Sequence, residues 1–422
     1  MGTTTGRAGT TRITLLVALA VFAQESTWNF YDAQVPPLLM AHLGSAVVVG
    51  LLMGMDNVLG VFIQPWIGNR SDNTRTAWGR RMPYLVVAMP VAAALFLLIP
   101  FASASLVLLV AVMFAYALVT NSIKPVAESL MPDFVPPERR SRANAVVKIA
   151  AALTVVVASL ISILVIDEHP TAAFLIPSGM VLVAVLVLAL TVRDSTSRGY
   201  QAALAEDRAP DTPDRTQLRA LDAVRDIVRD SDRRRLMVVV SVALFGAAWA
   251  ASRSLVTPYG MQVLGLSRGD AGGLTLASGI VYIVVAFPVA LIAERVGRVT
   301  TMLVGMAVFC AGMILGACLP TAAGTAVALS VAAAGAAGFI INAVVVLWNL
   351  APSARVLGTY AGIYTIGWAL GGFLGPAIVG AMVDLTGWRL MLIDIAVVSL
   401  LAIATVARVV ILQRRRPAAV PL

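Results

Sequence analysis

Asp56 stands inside an otherwise apolar stretch, among Met53, Met55, Val58 and Leu59, with Asn57 beside it. Glu25 occupies a similar place in the preceding apolar stretch. A carboxylate held away from water needs a proton, a cation or a donor, because an isolated charge at that depth costs about 2.5–3.5 kcal/mol on insertion scales. Two such carboxylates suit a shared proton, or Na⁺ bound with amide or carbonyl oxygens such as that of Asn57. Asp56, Glu25 and Asn57 are therefore the expected cation-binding residues. The alternative is a buried acid with a structural role, neutral or paired with Lys124.

Other polar groups lie at comparable depth. Lys124 and Glu128 stand four apart with Asn121 on one helical face. Lys124 is expected either to meet a solute or Asp56, or to pair with Glu128, which is itself a candidate partner of Arg80, Arg81 or Arg142. Arg253 is expected to pair with Asp32 or Asp394, or to bind an anionic solute. Trp28, Tyr31, Asn342, Tyr364 and Trp368 supply aromatic faces and an amide. That combination suits a sugar, whose C–H faces are apolar and whose rim is hydroxylated, although aromatic rings also serve as ordinary packing. The expected solute contacts are Trp28, Tyr31, Asp32, Asn121, Lys124, Arg253, Asn342, Tyr364 and Trp368.

The elements that must position these residues follow from composition. Hydrophobic residues make up 59% of the 422 and charged residues 13%, well below the roughly 25% charge of a soluble chain. Twelve apolar runs long enough to span a bilayer are expected, at 13–36, 45–67, 84–101, 106–130, 144–166, 172–192, 236–262, 271–293, 300–319, 323–348, 358–383 and 389–411. A polar segment, 193–235, separates six from six. Its first part, 194–215, reads as a flexible linker. Its second part, 216–235, carries Leu218, Leu221, Val224, Ile227 and Val228 at helical spacing and reads as an amphipathic helix on the membrane surface. The expected organisation is a first bundle over 1–192, this linker, a second bundle over 236–411 and a tail over 412–422.

Charge sets the expected orientation. With the N-terminus inside, 25 Lys and Arg fall in inner segments and only Arg268 and Arg389 in outer loops. The net charge of +9 is then a topology signal and not a nucleic-acid footprint. Both termini are expected in the cytoplasm. The excess of Arg over Lys points to a bacterial source, and so to a bacterial inner membrane. Two Cys and two His leave no cluster for a metal, and no nucleophile–base pair, HExxH or Walker loop is present. An enzyme is not expected, nor any cofactor apart from H⁺ or Na⁺ as a coupling ion. A monomer with a small-molecule partner is the expectation.

The halves repeat. A shift of 222 aligns Pro36 with Pro258, Gly68 with Ala290 and Asp72 with Glu294; a shift of 218 then aligns Gly79 with Gly297 and Arg80 with Arg298. Parallel repeats of this kind mark two-bundle transporters. The equivalents of Asp56 and Glu25 are Ser278 and Ala247, which confines the expected coupling site to the first half.

Ala290-x-x-x-Glu294-Arg295-x-Gly297-Arg298 resembles the loop motif of the major facilitator superfamily, with Ala for the first Gly and Glu for Asp. Gln64-Pro65-x-x-Gly68-x-x-Ser71-Asp72 and Gly79-Arg80-Arg81-x-Pro83 resemble the narrower form found in glycoside–pentoside–hexuronide:cation symporters and sucrose/proton symporters. Asp56-Asn57, Pro132-Asp133 and Arg142 are similar to the same group; Asn73 and Met82 stand where an Arg is common. The resemblance implies an all-α membrane protein of twelve helices in two pseudo-symmetric bundles. It also implies cation coupling at Asp56, and symport of a sugar or glycoside by alternating access. Gly68–Arg81 and Ala290–Arg298 would be the two hinge loops, with Gly68, Asp72, Gly79, Arg80, Arg81, Glu294, Arg295, Gly297 and Arg298 as gating residues. The alternative is a proton-coupled exporter of drugs or metabolites. The run 144–166 lacks the Gly and Pro of the antiporter motif, which weighs against that alternative.

Overall fold

A computed structural model describes residues 4–135, 137–206, 233–350 and 357–414. Among them every regular element is a helix. The first six long helices are α1 (Thr4–Met40), α2 (Ala46–Asp72), α3 (Met82–Ala102), α4 (Leu106–Phe134), α5 (Pro137–Ile161, extended by one π turn to Ile166) and α6 (Pro170–Thr191). A short α7 (Arg198–Glu206) follows. The remainder are α8 (Arg234–Ser254), α9 (Val256–Gln262), α10 (Arg268–Gly273), α11 (Leu276–Val296), α12 (Arg298–Cys318), α13 (Ala322–Asn349), α14 (Leu357–Thr386) and α15 (Met391–Arg414). Among the described residues twelve stretches are long and apolar enough to cross a membrane, one for each predicted run.

Three boundaries differ from the sequence reading. The run 236–262 breaks at Leu255, because Pro258 cannot donate to the Ser254 carbonyl and the ring clashes there. The first loop opens after Asp72, so Gly68 is a residue of α2 and not part of a turn. Residues 194–206 are not a loose linker: a 3₁₀ turn at Asp194–Thr196 leads into α7. Asp194 is fully buried, and the Tyr200 hydroxyl donates to the Thr76 carbonyl at 3.0 Å. The expected amphipathic helix lies mostly outside the described residues.

Contacts divide the chain into two compact units, residues 1–31 with 59–215, and residues 32–58 with 216–422. The division passes through α1 and α2. The first unit is centred on rings from four helices. Phe30 meets Phe174 edge-on at 5.1 Å, Phe96 lies 5.2 Å from Phe174, and Tyr116 lies 5.4 Å from Phe96. The second unit has a tighter ring cluster, Phe245 with Phe309 and Phe339 at 5.1 and 4.4 Å.

Small residues let backbones of the second unit touch, which is how helices associate where lipid offers no hydrophobic drive. A Cβ on Gly375 would overlap the Ala247 backbone, and one on Gly54 would lie 2.6 Å from the Phe373 carbonyl oxygen. Gly50 and Gly380 face the backbones of Pro376 and Ala46 in the same way. The end of this α2–α14 seam is polar: the Asp384 carboxylate accepts from the Ser45 hydroxyl (2.6 Å) and from the Ala46 (2.7 Å) and Val47 (3.2 Å) amides. A carboxylate here completes the first turn of α2, whose amides have no partner within the helix.

Gly375→Ala is expected to cost about 1–3 kcal/mol through overpacking, whereas Gly179→Ala, which faces open space in α6, should be neutral or slightly stabilising. Thermal unfolding in detergent, followed by gel filtration, checks the pair. Equal melting temperatures for the two variants would show that the contact of α14 with Ala247 of α8 is not close-packed.

Candidate functional site

In the first unit two charges of the membrane spans, Lys124 and Glu25, are paired. The Lys124 ammonium lies 3.6 Å from the Glu25 carboxylate, with the two side chains 40% and 25% exposed. Lys124 thus turns to α1. Neighbouring polar groups tie α1, α2 and α4 together at this level. The Gln24 amide donates to the Thr120 carbonyl at 3.3 Å. Gln64 donates to the Asn121 side-chain oxygen at 2.8 Å, and Asn121 donates to Ala117 within α4. Gly60 makes room for this: a Cβ there would stand 2.6 Å from the Asn121 oxygen. Trp28 meets Tyr31 edge-on at 5.5 Å, and Tyr31, only 2% exposed, stacks on Tyr116 at 5.6 Å. Trp28 is half-buried beside this stack.

Asp56 belongs to the second unit. It is half-buried within α2 and accepts from the Asn57 amide at 3.0 Å. Gly372 of α14 lies against that amide, close enough that a Cβ would come within 2.7 Å of it. Arg253 approaches Asp32 at 3.9 Å, while Asp394 accepts from Thr386 at 2.9 Å. Of the partners expected for Arg253, Asp32 is therefore the one met. Arg268, at the start of α10, donates to the Gln34 side-chain and main-chain oxygens at 2.7 and 2.8 Å. Tyr364 and Trp368 stack at 6.2 Å and are half-buried, whereas Asn342 is buried and donates to the Gly338 carbonyl of its own helix.

The first loop holds a dense ion cluster. Arg81 bonds Asp72 and Ser71, and it donates to Asp133 at 3.0 Å. Arg80 reaches the other Asp133 oxygen at 2.5 Å and Asp72 at 3.9 Å. Exposure ranks the two acids: the Asp72 side chain is 54% exposed and that of Asp133 is 6% exposed. Beneath them Asp194 accepts the Arg80 and Arg81 amides at 2.7 and 2.6 Å. Gly79, at φ +97°, lies directly on the Asp194 carboxylate, and Gly199 on Asp133. A side chain at either position would push the carboxylate away.

The second loop, shorter, keeps the same positive-φ glycine. Gly297, at φ +99°, precedes Arg298 as Gly79 precedes Arg80. Its charges differ, since Glu294 and Arg295 are exposed, and among the described residues no ion pair joins Glu294 to a cation. The segment 351–356, which includes Arg355, lies outside the described residues, as does the Arg142 side chain. Glu128 is exposed, and Arg80 and Arg81 are engaged with Asp72 and Asp133 instead.

Asp194 and Asp384 were not singled out from sequence. Asp194 sits in a Ser-, Thr- and Arg-rich stretch that reads as unstructured. Asp384 sits beside a Gly-rich run whose only message is close packing. Asp133 carried a signal, its place in Pro132-Asp133, but not its partner.

The chain matches the Major Facilitator Superfamily over residues 17–278 and again over 238–422. Among solved structures it is similar to the nucleoside transporter NupG (D323A mutant), with a TM-score of 0.74 and 13% identity over 94% of this chain and 99% of that one. It is also similar to a bacterial homologue of the human lysosomal transporter Spinster, in an inward-facing and unoccupied conformation, at 0.73 and 16% over 99% and 100%. A further relative is the Membrane-associated transporter protein of Homo sapiens, 31% identical over 86 residues, which are 20% of this chain and 16% of that protein. Twelve membrane helices, a twofold repeat of loop turns and the match over both halves place the chain in the Major Facilitator Superfamily of membrane transporters.

Proposed function

We propose that this transporter moves a small polar solute, a sugar or glycoside, by symport with H⁺ or Na⁺. The observation that carries the reading is Asp56, a carboxylate within a membrane-spanning helix, half-buried and held by the Asn57 amide. Such a group binds a proton or Na⁺ at modest cost, and its charge state then differs between loaded and empty forms. Aromatic faces and carboxylates of the second unit suit a hydroxylated ring. The paired Glu25 and Lys124 are a second polar element, in the first unit. The sequence resemblance supports cation coupling, and the charge bias of the loops supports an N-terminus on the cytoplasmic side.

The same reading assigns the two loops a gating role. In the first loop the weight falls on Asp133 and Asp194 more than on Asp72. Removing one partner of a buried ion pair costs about 3–5 kcal/mol, whereas an exposed pair contributes 0–1 kcal/mol.

Two outcomes are expected. In proteoliposomes Asp56→Asn should lose gradient-driven accumulation while retaining solute exchange. A single coupled charge moved through 100 mV supplies about 2.3 kcal/mol, enough for roughly 50-fold accumulation. A mutant that still concentrates solute with the parental dependence on pH and Na⁺ removes Asp56 from coupling, and solute expelled rather than taken up under the same gradient favours an exporter. For the gate, Asp194→Ala and Asp133→Ala should raise the cytoplasmic labelling rate of a cysteine placed at Thr76 well above the effect of Asp72→Asn. If Asp72→Asn has the largest effect, burial is the wrong guide to the gate.

A further inference from the structure

Around the first loop the cations answer acids or carbonyls, with one exception. Arg80 and Arg81 engage Asp72 and Asp133, and Arg75 donates to the Asp72 and Thr74 carbonyls. Arg70, two residues from the end of α2, is exposed, and among the described residues no carboxylate pairs with it. Its guanidinium instead stands 5.7 Å from the centre of the Trp66 ring, one turn earlier. Trp66 is itself 59% exposed, and Phe62, one turn deeper in the span, is 72% exposed. Phe62, Trp66 and Arg70 form one row along α2, apolar, then amphipathic, then charged, over about 12 Å.

Two observations say what this row faces. The opposite side of the same helix is packed: Gly60 and Gln64, each two residues from a member of the row and about 200° around the helix, meet Asn121 of α4. The row therefore points away from the core of its own unit. The internal repeat supplies the second observation. The shift of 222 puts Val284, Pro288 and Ile292 of α11 at the corresponding places, and all three are exposed. That row is apolar throughout, as a surface given to acyl chains must be. The first half keeps the exposure and the apolar inner member, but its last two members are a Trp and an Arg. Those types suit the layer where acyl chains give way to phosphates, since indole rings settle at headgroup level and Arg reaches toward the surface. Trp78, 62% exposed in the loop that follows, is a second indole at the same end of the span.

We propose that Trp66 and Arg70 bind the headgroup of an anionic phospholipid, with Phe62 against its acyl chain. A guanidinium over an indole face keeps its N–H groups for another partner, and its planar fork can donate two parallel bonds to one phosphate. The ring thus holds the cation in place for the lipid without neutralising it. A zwitterionic lipid carries the same phosphate but offsets it with its own ammonium, so the preference is for a headgroup of net negative charge. The charge bias of the loops puts this end of α2 on the cytoplasmic side, where the leaflet is anionic. The site is independent of the identity of the transported solute.

The test reads lipid contact at this row in the full-length protein, with Cys310 and Cys318 replaced by Ser and a fluorophore on Asn69→Cys, beside Arg70. The protein is reconstituted with nitroxide-labelled phosphatidylglycerol or phosphatidylcholine of matched chains, and quenching is measured against mole fraction. Phosphatidylglycerol should quench at about fivefold lower mole fraction, the factor that one charge at an anionic surface supplies. Arg70→Gln should equalise the two lipids. Arg70→Lys should keep a preference of about twofold, because the charge stays and the fork is lost. Trp66→Ala should halve the preference, roughly, and Trp66→Phe should restore most of it. The same fluorophore on Ile292→Cys, in the corresponding row of α11, should see both lipids equally. Gel filtration confirms that each variant is folded. Equal quenching by the two lipids in the parent, or an unchanged preference in Arg70→Gln, overturns the proposal. Loss of the preference on adding millimolar glycerol phosphate also overturns it, since a soluble anion then holds the site. No quenching by either lipid overturns it as well, because another protein surface then covers the row.

Discussion

A carboxylate shut away from water must find a donor, and the placement of helices in this chain follows from how each acid meets that demand. Asp133 is nearly buried and shared by Arg80 and Arg81. Asp194 is buried and satisfied by two main-chain amides. Asp384, although exposed, also finds donors in the free amides that begin α2, and the part-buried Glu25 finds one in an ammonium. Each solution fixes a neighbour. The ion cluster sets the loop between α2 and α3, and it holds α7 against that loop. The cap sets the start of α2 against the end of α14.

The two halves answer the same problem differently. Their loops share a glycine at positive φ, +97° and +99°, directly before an Arg. Their side chains have diverged. The first loop concentrates charge on itself, while the second leaves Glu294 and Arg295 exposed. Within the membrane spans the first unit pairs Glu25 with Lys124, and the second pairs Asp32 with Arg253, whose guanidinium also lies over Trp249. A repeat conserves backbone geometry more readily than function, since a turn needs one residue type and a site needs several.

What could be read from the sequence was what depends on one segment at a time. Helix number, approximate spans and the family resemblance follow from hydropathy and short motifs, and all twelve spans appear. The Asp32–Arg253 pair was legible because the repeat put both residues near the same depth. Partners chosen by tertiary packing were not. Lys124 had candidate partners in Glu128 and in the buried acids, and only packing chooses among them: it meets Glu25. Asp194 lies in a stretch whose composition signals disorder, yet a buried carboxylate and Tyr200 anchor it. Composition measures how little apolar surface a segment offers, and a segment held by a few polar bonds escapes that measure.

The seam of α2 and α14 has a thermodynamic consequence. Gly50, Gly54, Gly372 and Gly380 have no rotamers to freeze, so joining these backbones carries almost no side-chain entropy. Dispersion between backbones falls steeply once a gap opens, so the contact is short-ranged. The balance between a joined and a parted seam then rests largely on the few polar bonds at its end, where Asp384 meets Ser45, Ala46 and Val47. Such a junction behaves less like a graded spring than like a catch, in which a small number of bonds sets the threshold and the smooth surfaces behind them set only the fit.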